Sequence, residues 1–134
     1  KGYESIYDEP LMALDIYTRQ CSLGVTSNQL AIMAGTIANR GVNPLSRERV
    51  FKAELSQKII CMMATVGFYE ESGDWLFSSG IPAKSGVGGG IMAVYPNTIG
   101  ICAFAPKLNV AGNSIKAQLA VKYIANKLGL SIFG

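Results

Sequence analysis

Four stretches of this chain repeat apolar residues at helical spacing, and two later stretches are apolar almost without a break. Leu11, Leu14, Tyr17, Thr18 and Cys21 recur every three to four positions, so residues 8–22 read as a helix. Asp8 and Glu9 suit its positive N-terminal end and Pro10 its first turn, and Gly24 ends it. Thr26 or Ser27 can cap a second helix running to about Asn39, carrying Leu30, Ile32, Met33, Ile37 and Ala38. Gly41 is its left-handed stop. After a loop around Pro44, a third helix spans about Lys52 to Thr65, with Leu55, Ile59, Met62 and Met63 on one side and Gly67 as its breaker. Ser72-Gly73-Asp74 reads as a turn and Trp75-Leu76-Phe77 as a short strand.

Residues 87–95 and 98–105 are β-rich runs without clean polar alternation, which predicts a pair covered on most of both faces. Pro96-Asn97 between them reads as a hairpin turn. Gly112-Asn113 then leads into an amphipathic helix from Ser114 to Leu128, with Ile115, Leu119, Val121, Tyr123, Ile124 and Leu128, closed by Gly129. The predicted order is three helices, a short antiparallel sheet, and a helix packed on that sheet. Trp75, Phe77 and the Met62-Met63 pair are the expected core.

Composition narrows the function. The chain has 134 residues, 49% apolar and 16% charged, enough for a substantial core within one domain or part of one. A net charge of +3 is mild, and the basic residues are scattered, so no nucleic-acid surface is indicated. No apolar run approaches the roughly 20 residues that span a bilayer, and Glu4, Asp8 and Glu9 do not suit a signal peptide. Cys21, Cys61 and Cys102 are widely spaced, and read as reduced, buried thiols of a cytosolic protein. Histidine is absent. That removes Ser-His-Asp and Cys-His catalysis, makes a zinc site improbable, and leaves acid–base work to Lys, Tyr, Glu or Asp.

Lys84-Ser85-Gly86-Val87, followed by Gly88-Gly89-Gly90, places a cation, a hydroxyl and a side-chain-free backbone before an apolar run. Serine hydrolases of the β-lactamase and penicillin-binding type build one wall of their site in this way, with a Lys-Thr-Gly triplet beside a strand. Glycine there lets a substrate approach the backbone. Alone, the triplet is also an ordinary strand-leading turn.

The wider pattern is more specific. Gly67-Phe68-Tyr69-Glu70-Glu71-Ser72-Gly73 precedes Gly80-Ile81-Pro82-Ala83-Lys84-Ser85-Gly86-Val87-Gly88-Gly89-Gly90. With Leu14-Asp15-Ile16-Tyr17, Gln20-Cys21-Ser22, Ala38-Asn39-Arg40-Gly41, Asn43-Pro44, Leu108 and Ala111-Gly112-Asn113-Ser114, the chain resembles the serine-dependent glutaminases along essentially its whole length. The resemblance implies an α+β, β-lactamase-like fold: an antiparallel sheet flanked by helices, plus a helical lobe. It implies hydrolysis of L-glutamine to L-glutamate and ammonia through a serine acyl-enzyme, with neither metal nor organic cofactor, in a homo-oligomeric, cytoplasmic enzyme. The family's nucleophile lies in Ser-x-x-Lys, and no serine of this chain has a lysine three residues later. The resemblance therefore fits the C-terminal part of one catalytic domain, residues 1–66 from the helical part and 67–134 the hairpin and closing helix, inactive alone.

It also assigns site residues. Tyr17 matches the tyrosine of Leu-Asp-x-Tyr, whose hydroxyl reaches substrate; without the resemblance it reads rather as a helix-face aromatic buried as core. Tyr69 matches the tyrosine of Gly-x-Tyr, a hydrogen-bond or proton-relay partner in a site without imidazole, or else a packing residue after the helix. Val87 matches the residue whose backbone N–H completes the oxyanion hole. Lys84 and Ser85 would supply positive potential and a hydroxyl for the substrate carboxylate, or only shape the strand. Tyr95-Pro96-Asn97 is set aside as a turn. Another penicillin-recognising hydrolase is disfavoured by the cysteine pattern and the Gly-Val-Gly-Gly-Gly run. A stand-alone, non-catalytic binding module of the same origin remains the alternative, since the nucleophile is absent from these residues.

Overall fold

The computed structural model describes residues 9–134. Helix α1 spans Pro10–Cys21, α2 Ser27–Ala38, α3 Ala53–Val66, α4 Ser72–Ser79 and α5 Ile115–Leu128. Strands β1 (Ala83–Ser85), β2 (Gly90–Tyr95) and β3 (Ile99–Phe104) form one antiparallel sheet in the order β1-β2-β3. Asp8, at the start of the expected first helix, lies outside the described residues.

Local chemistry sets these boundaries. Pro10 occupies the first turn of α1, where its missing N–H costs nothing. Thr26 and Gln29 make a reciprocal capping box: Gln29 N–H donates to Thr26 Oγ1 at 3.2 Å, and Thr26 N–H donates to Gln29 Oε1 at 2.8 Å. Ser114 caps α5 by accepting from Ala117 N–H at 3.3 Å. The β2–β3 hairpin turns at Pro96-Asn97, with Asn97 at φ 58°, a conformation asparagine tolerates.

Both faces of the sheet are covered, as the apolar runs predicted. Ile91, Ala93 and Ile101 pack with Phe68, Trp75, Ile81, Ala117, Val121 and Ala125. Val94, on the opposite face of β2, packs with Ala34, Ile37 and Ala38 of α2 and Met63 of α3. At Gly100 the helix and strand backbones meet: a Cβ there would stand 2.1 Å from the Gly35 nitrogen. Gly67 closes α3 against β1, its carbonyl accepting from Ser85 N–H at 2.9 Å, and a Cβ there would stand 1.8 Å from the Ala83 oxygen.

Several expectations are corrected. Trp75-Leu76-Phe77 is not a strand; it lies in α4. Three residues are too few for period to discriminate, and the helix is fixed by tertiary bonds: Trp75 Nε1–H donates to the Ile81 carbonyl at 2.9 Å, and the Trp75 ring stacks on Phe68 with centroids 4.1 Å apart. Trp75 is core, but Phe77 is 94% exposed and Met62 64% exposed, because each lies on the outward face of its helix. Cys21 and Cys61 are exposed and Cys102 half-buried, all as free thiols, so the expected burial of the thiols is wrong. Helix α5 turns Ala117, Val121 and Ala125 inward, with Leu119 and Tyr123 outward. Small residues at this four-residue spacing seat the helix close to the sheet. Lys84 and Ser85 do not merely precede a strand; they belong to β1, opposite Met92 and Ile91.

Candidate active site

The two strands β1 and β2 are joined by a glycine turn that carries Val87. Gly86 N–H donates to the Gly90 carbonyl and Gly89 N–H to the Gly86 carbonyl, both at 2.9 Å. Gly89 sits at φ 97°, and a Cβ there would lie 2.6 Å from the Ala105 oxygen; only glycine meets both demands. The tight turn leaves Val87 69% exposed. Its N–H donates to no backbone or side-chain acceptor among the described residues. A free, fixed backbone N–H is the group an oxyanion hole requires.

Tyr69 stands beside this turn. It opens a single 3₁₀ turn, Tyr69–Glu71, between α3 and α4, and has φ 54° without being glycine. Such a conformation is sparsely populated and persists only where its surroundings impose it. Ser72 supplies part of the restraint: its Oγ donates to the Tyr69 carbonyl at 2.7 Å and accepts from Phe68 N–H at 2.9 Å. The Tyr69 ring and Val87 Cγ1 converge on Gly112, each within 4 Å of where a Cβ would sit. Gly112, at φ 87°, is thus the floor between them.

Lys84 completes the group. Its ammonium lies 4.6 Å from the centroid of the Tyr69 ring and donates to the Ser85 carbonyl. Burial pushes the Lys84 ammonium below its ordinary pKa, since a less hydrated site disfavours charge. Ser85 is buried, and its Oγ has no hydrogen-bond partner among the described residues. An unpaired buried hydroxyl typically costs about 1–3 kcal/mol. Lys84, Ser85, Gly88, Met92, Leu30 and Phe104 line a cleft of about 380 Å³.

Tyr69, Lys84 and Val87 are therefore brought together. Ser85 alternates with Lys84 and turns its hydroxyl to the other, buried face of β1, and Tyr17 stands apart on α1, 65% exposed. Cys21, one turn on, pushes the Tyr17 phenol above the ordinary tyrosine pKa. No buried residue lies on α1. Sequence reasoning passed over Glu71 and Asn109. Asn109 Nδ2 donates to both Glu71 carboxylate oxygens at 2.9 Å, a contact across 38 residues that no local pattern signals. Among the described residues no cluster of His, Cys, Asp or Glu could hold a metal, and no helix is long and apolar enough to cross a membrane.

The glutaminase family model matches residues 1–133. The chain belongs to the glutaminase family. The chain is 64% identical over 133 residues to a Bacteroides fragilis glutaminase, covering 99% of the chain and 41% of that relative. It is 62% identical to a Parabacteroides distasonis glutaminase with the same coverage. It thus spans about two fifths of the length of the curated relatives it matches. Among solved structures, a probable glutaminase superposes with a TM-score of 0.93 at 44% identity, over 96% of this chain and 41% of that one. The Bacillus subtilis glutaminase YbgJ, in covalent complex with 5-oxo-L-norleucine formed by reaction with 6-diazo-5-oxo-L-norleucine, superposes with a TM-score of 0.90 at 32% identity, over 96% and 46%. The fold is that of the β-lactamase-like glutaminases.

Proposed function

We propose that the chain is the C-terminal part of a catalytic domain that hydrolyses L-glutamine to L-glutamate and ammonia. The observation that carries this reading is the convergence of Tyr69, Lys84 and Val87 around a free backbone N–H. In the whole enzyme a serine hydroxyl from the remainder of the domain attacks the side-chain amide carbon. Val87 N–H, and the serine's own N–H, hold the oxyanion. Tyr69 relays a proton to the departing nitrogen, so ammonia leaves and a serine ester remains; water then hydrolyses the ester to glutamate. Lys84 lends positive potential, with Ser85, for the substrate carboxylate. Tyr17 reaches the same substrate from α1. The exposed apolar residues of α1, Leu11, Leu14 and Ile16 among them, suit burial against the rest of a domain more than twice this length. On this reading residues 1–66 belong to its helical part and 67–134 close its sheet. Cytoplasmic location and homo-oligomeric assembly belong to the same reading, the former supported by three unpaired thiols.

A non-catalytic module of the same descent is the second reading, favoured by the absence of Ser-x-x-Lys from these residues. Ammonia release separates the two. Residues 1–134 alone should release none from L-glutamine, while the same residues joined to a glutaminase segment bearing Ser-x-x-Lys should. Activity of residues 1–134 alone, with full-length contaminant excluded by mass spectrometry, would overturn the catalytic assignment.

A further inference from the structure

The strained backbone at Tyr69 is gripped by side chains from a loop about 40 residues further along the chain. Asn113 is fully buried, and its Nδ2 donates to the Phe68 carbonyl at 3.2 Å and to Glu71 Oε2 at 2.7 Å. Asn109 Nδ2 donates to both oxygens of the same carboxylate, while its own Oδ1 accepts from Ala111 N–H at 3.1 Å and Asn113 N–H at 2.9 Å. The residues before and after Tyr69 are thus tied to one loop, and that loop also presents Gly112 to the Tyr69 ring. Ser72 closes the remaining side by bonding Phe68 N–H and the Tyr69 carbonyl. A carboxylate accepting from two amides is well suited to this work. Charge-assisted bonds are about twice as strong as neutral ones, and a network that shares acceptors resists piecewise loosening.

We propose that Glu71 and Asn113 are positioning residues, which hold Tyr69 in its left-handed conformation so that its ring stays over Gly112 and beside Lys84. The inference rests on the glutaminase reading for its kinetic consequence, but its structural content does not. Neither residue touches the reacting atoms; both act through the Tyr69 peptide. Glu71 is half-buried rather than core, so replacing it does not empty the interior.

The test uses the whole enzyme containing this chain. Glu71→Ala should lower kcat about ten- to a hundredfold, the range expected of a misplaced catalytic group, with KM for L-glutamine changed less than about threefold. Glu71→Gln keeps one oxygen that both amides can share but sets its own NH2 against Asn109 Nδ2, so it should recover only part of the loss. Amide hydrogen exchange, which needs no substrate, should speed up about tenfold or more at Phe68 and at position 71 in Glu71→Ala, after correction for the intrinsic rate of alanine, with the Val121 amide unchanged. If exchange at Phe68 and position 71 stays at the wild-type rate, or kcat stays within about threefold while wild type is active, the positioning role is refuted. If the wild type does not hydrolyse glutamine yet exchange accelerates locally, the hold on Tyr69 stands and the proposed activity falls. A Glu71→Ala variant that does not fold sends the same measurements to Asn109→Ala, which removes the second amide from the carboxylate and should show a smaller change of the same kind; no change there refutes the network.

Discussion

Lys84 holds its ammonium 4.6 Å from the centre of the Tyr69 ring, across the gap between β1 and the turn before α4. A cation over an aromatic face is worth about 0.5–2 kcal/mol depending on desolvation, so the pair orients both side chains. Lys84→Met in the whole enzyme should lower kcat/KM for L-glutamine by about tenfold or more, because ring alignment and positive potential are lost together. Lys84→Arg should keep most of it. Steady-state kinetics on the two variants checks this, and a fully active Lys84→Met would remove Lys84 from the site.

The same lysine sets a pH dependence. Its pKa is lower folded than unfolded, because burial disfavours the ammonium. Below both values the native state carries the full cost of the buried charge. As pH rises through the folded value towards the ordinary lysine value, the unfolded chain binds more protons, so unfolding becomes harder. Relative to Lys84→Met, the wild-type chain should therefore gain stability on going from neutral into the alkaline range. Urea midpoints of the two proteins, compared across that range, measure it; parallel curves would contradict the sign.

Tyr69 and Tyr17 should separate kinetically. Tyr69→Phe should lower kcat about 10²–10⁴-fold, as losing an acid–base contributor does. Tyr17→Phe should mainly raise KM, since an exposed hydroxyl on α1 can contribute a ground-state hydrogen bond. If Tyr69→Phe keeps kcat within about threefold, its relay role is wrong.

Glycine substitutions rank by the space around them. Gly100→Ala drives a methyl to 2.1 Å from the Gly35 nitrogen and should cost at least the about 1–3 kcal/mol of an overpacked core. Gly35→Ala meets the Pro44 ring at 3.2 Å and should cost less. Gly24→Ala has no atom within 4 Å and lacks a positive φ, so it should be close to neutral. Chemical denaturation of the three variants gives the order directly.

Much of this architecture is legible in residue pattern. The caps at Thr26 and Ser114 and the Pro96-Asn97 turn each act through neighbours a few residues away, so the elements they bound are predictable. What pattern misses is decided over distance. Helix α4 opens with a serine and a glycine and carries three large apolar residues, which locally resemble turn and strand; the Trp75–Ile81 bond and the Phe68 stack decide otherwise. At the site, Tyr69, Lys84 and Val87 are recognisable by motif, but nothing in Phe-Tyr-Glu-Glu announces a left-handed tyrosine. That conformation depends on Asn113, whose Gly-Asn-Ser setting looks like helix capping alone. Thiol exposure escapes the pattern for a related reason: Cys21 and Cys61 sit on helices whose apolar stripes do not all face this core.

The joint at Gly67 has a mechanical consequence. Its carbonyl is bonded to Ser85, and its Cα lies so near the Ala83 oxygen that no side chain fits. The end of α3 and the first strand are thus joined backbone to backbone, and Tyr69 stands two residues beyond the joint. Buried Met63 lies one turn before it, so Met63→Ala should disturb the seating of the tyrosine as well as the core, and its loss of activity in the whole enzyme should exceed what loss of fold explains.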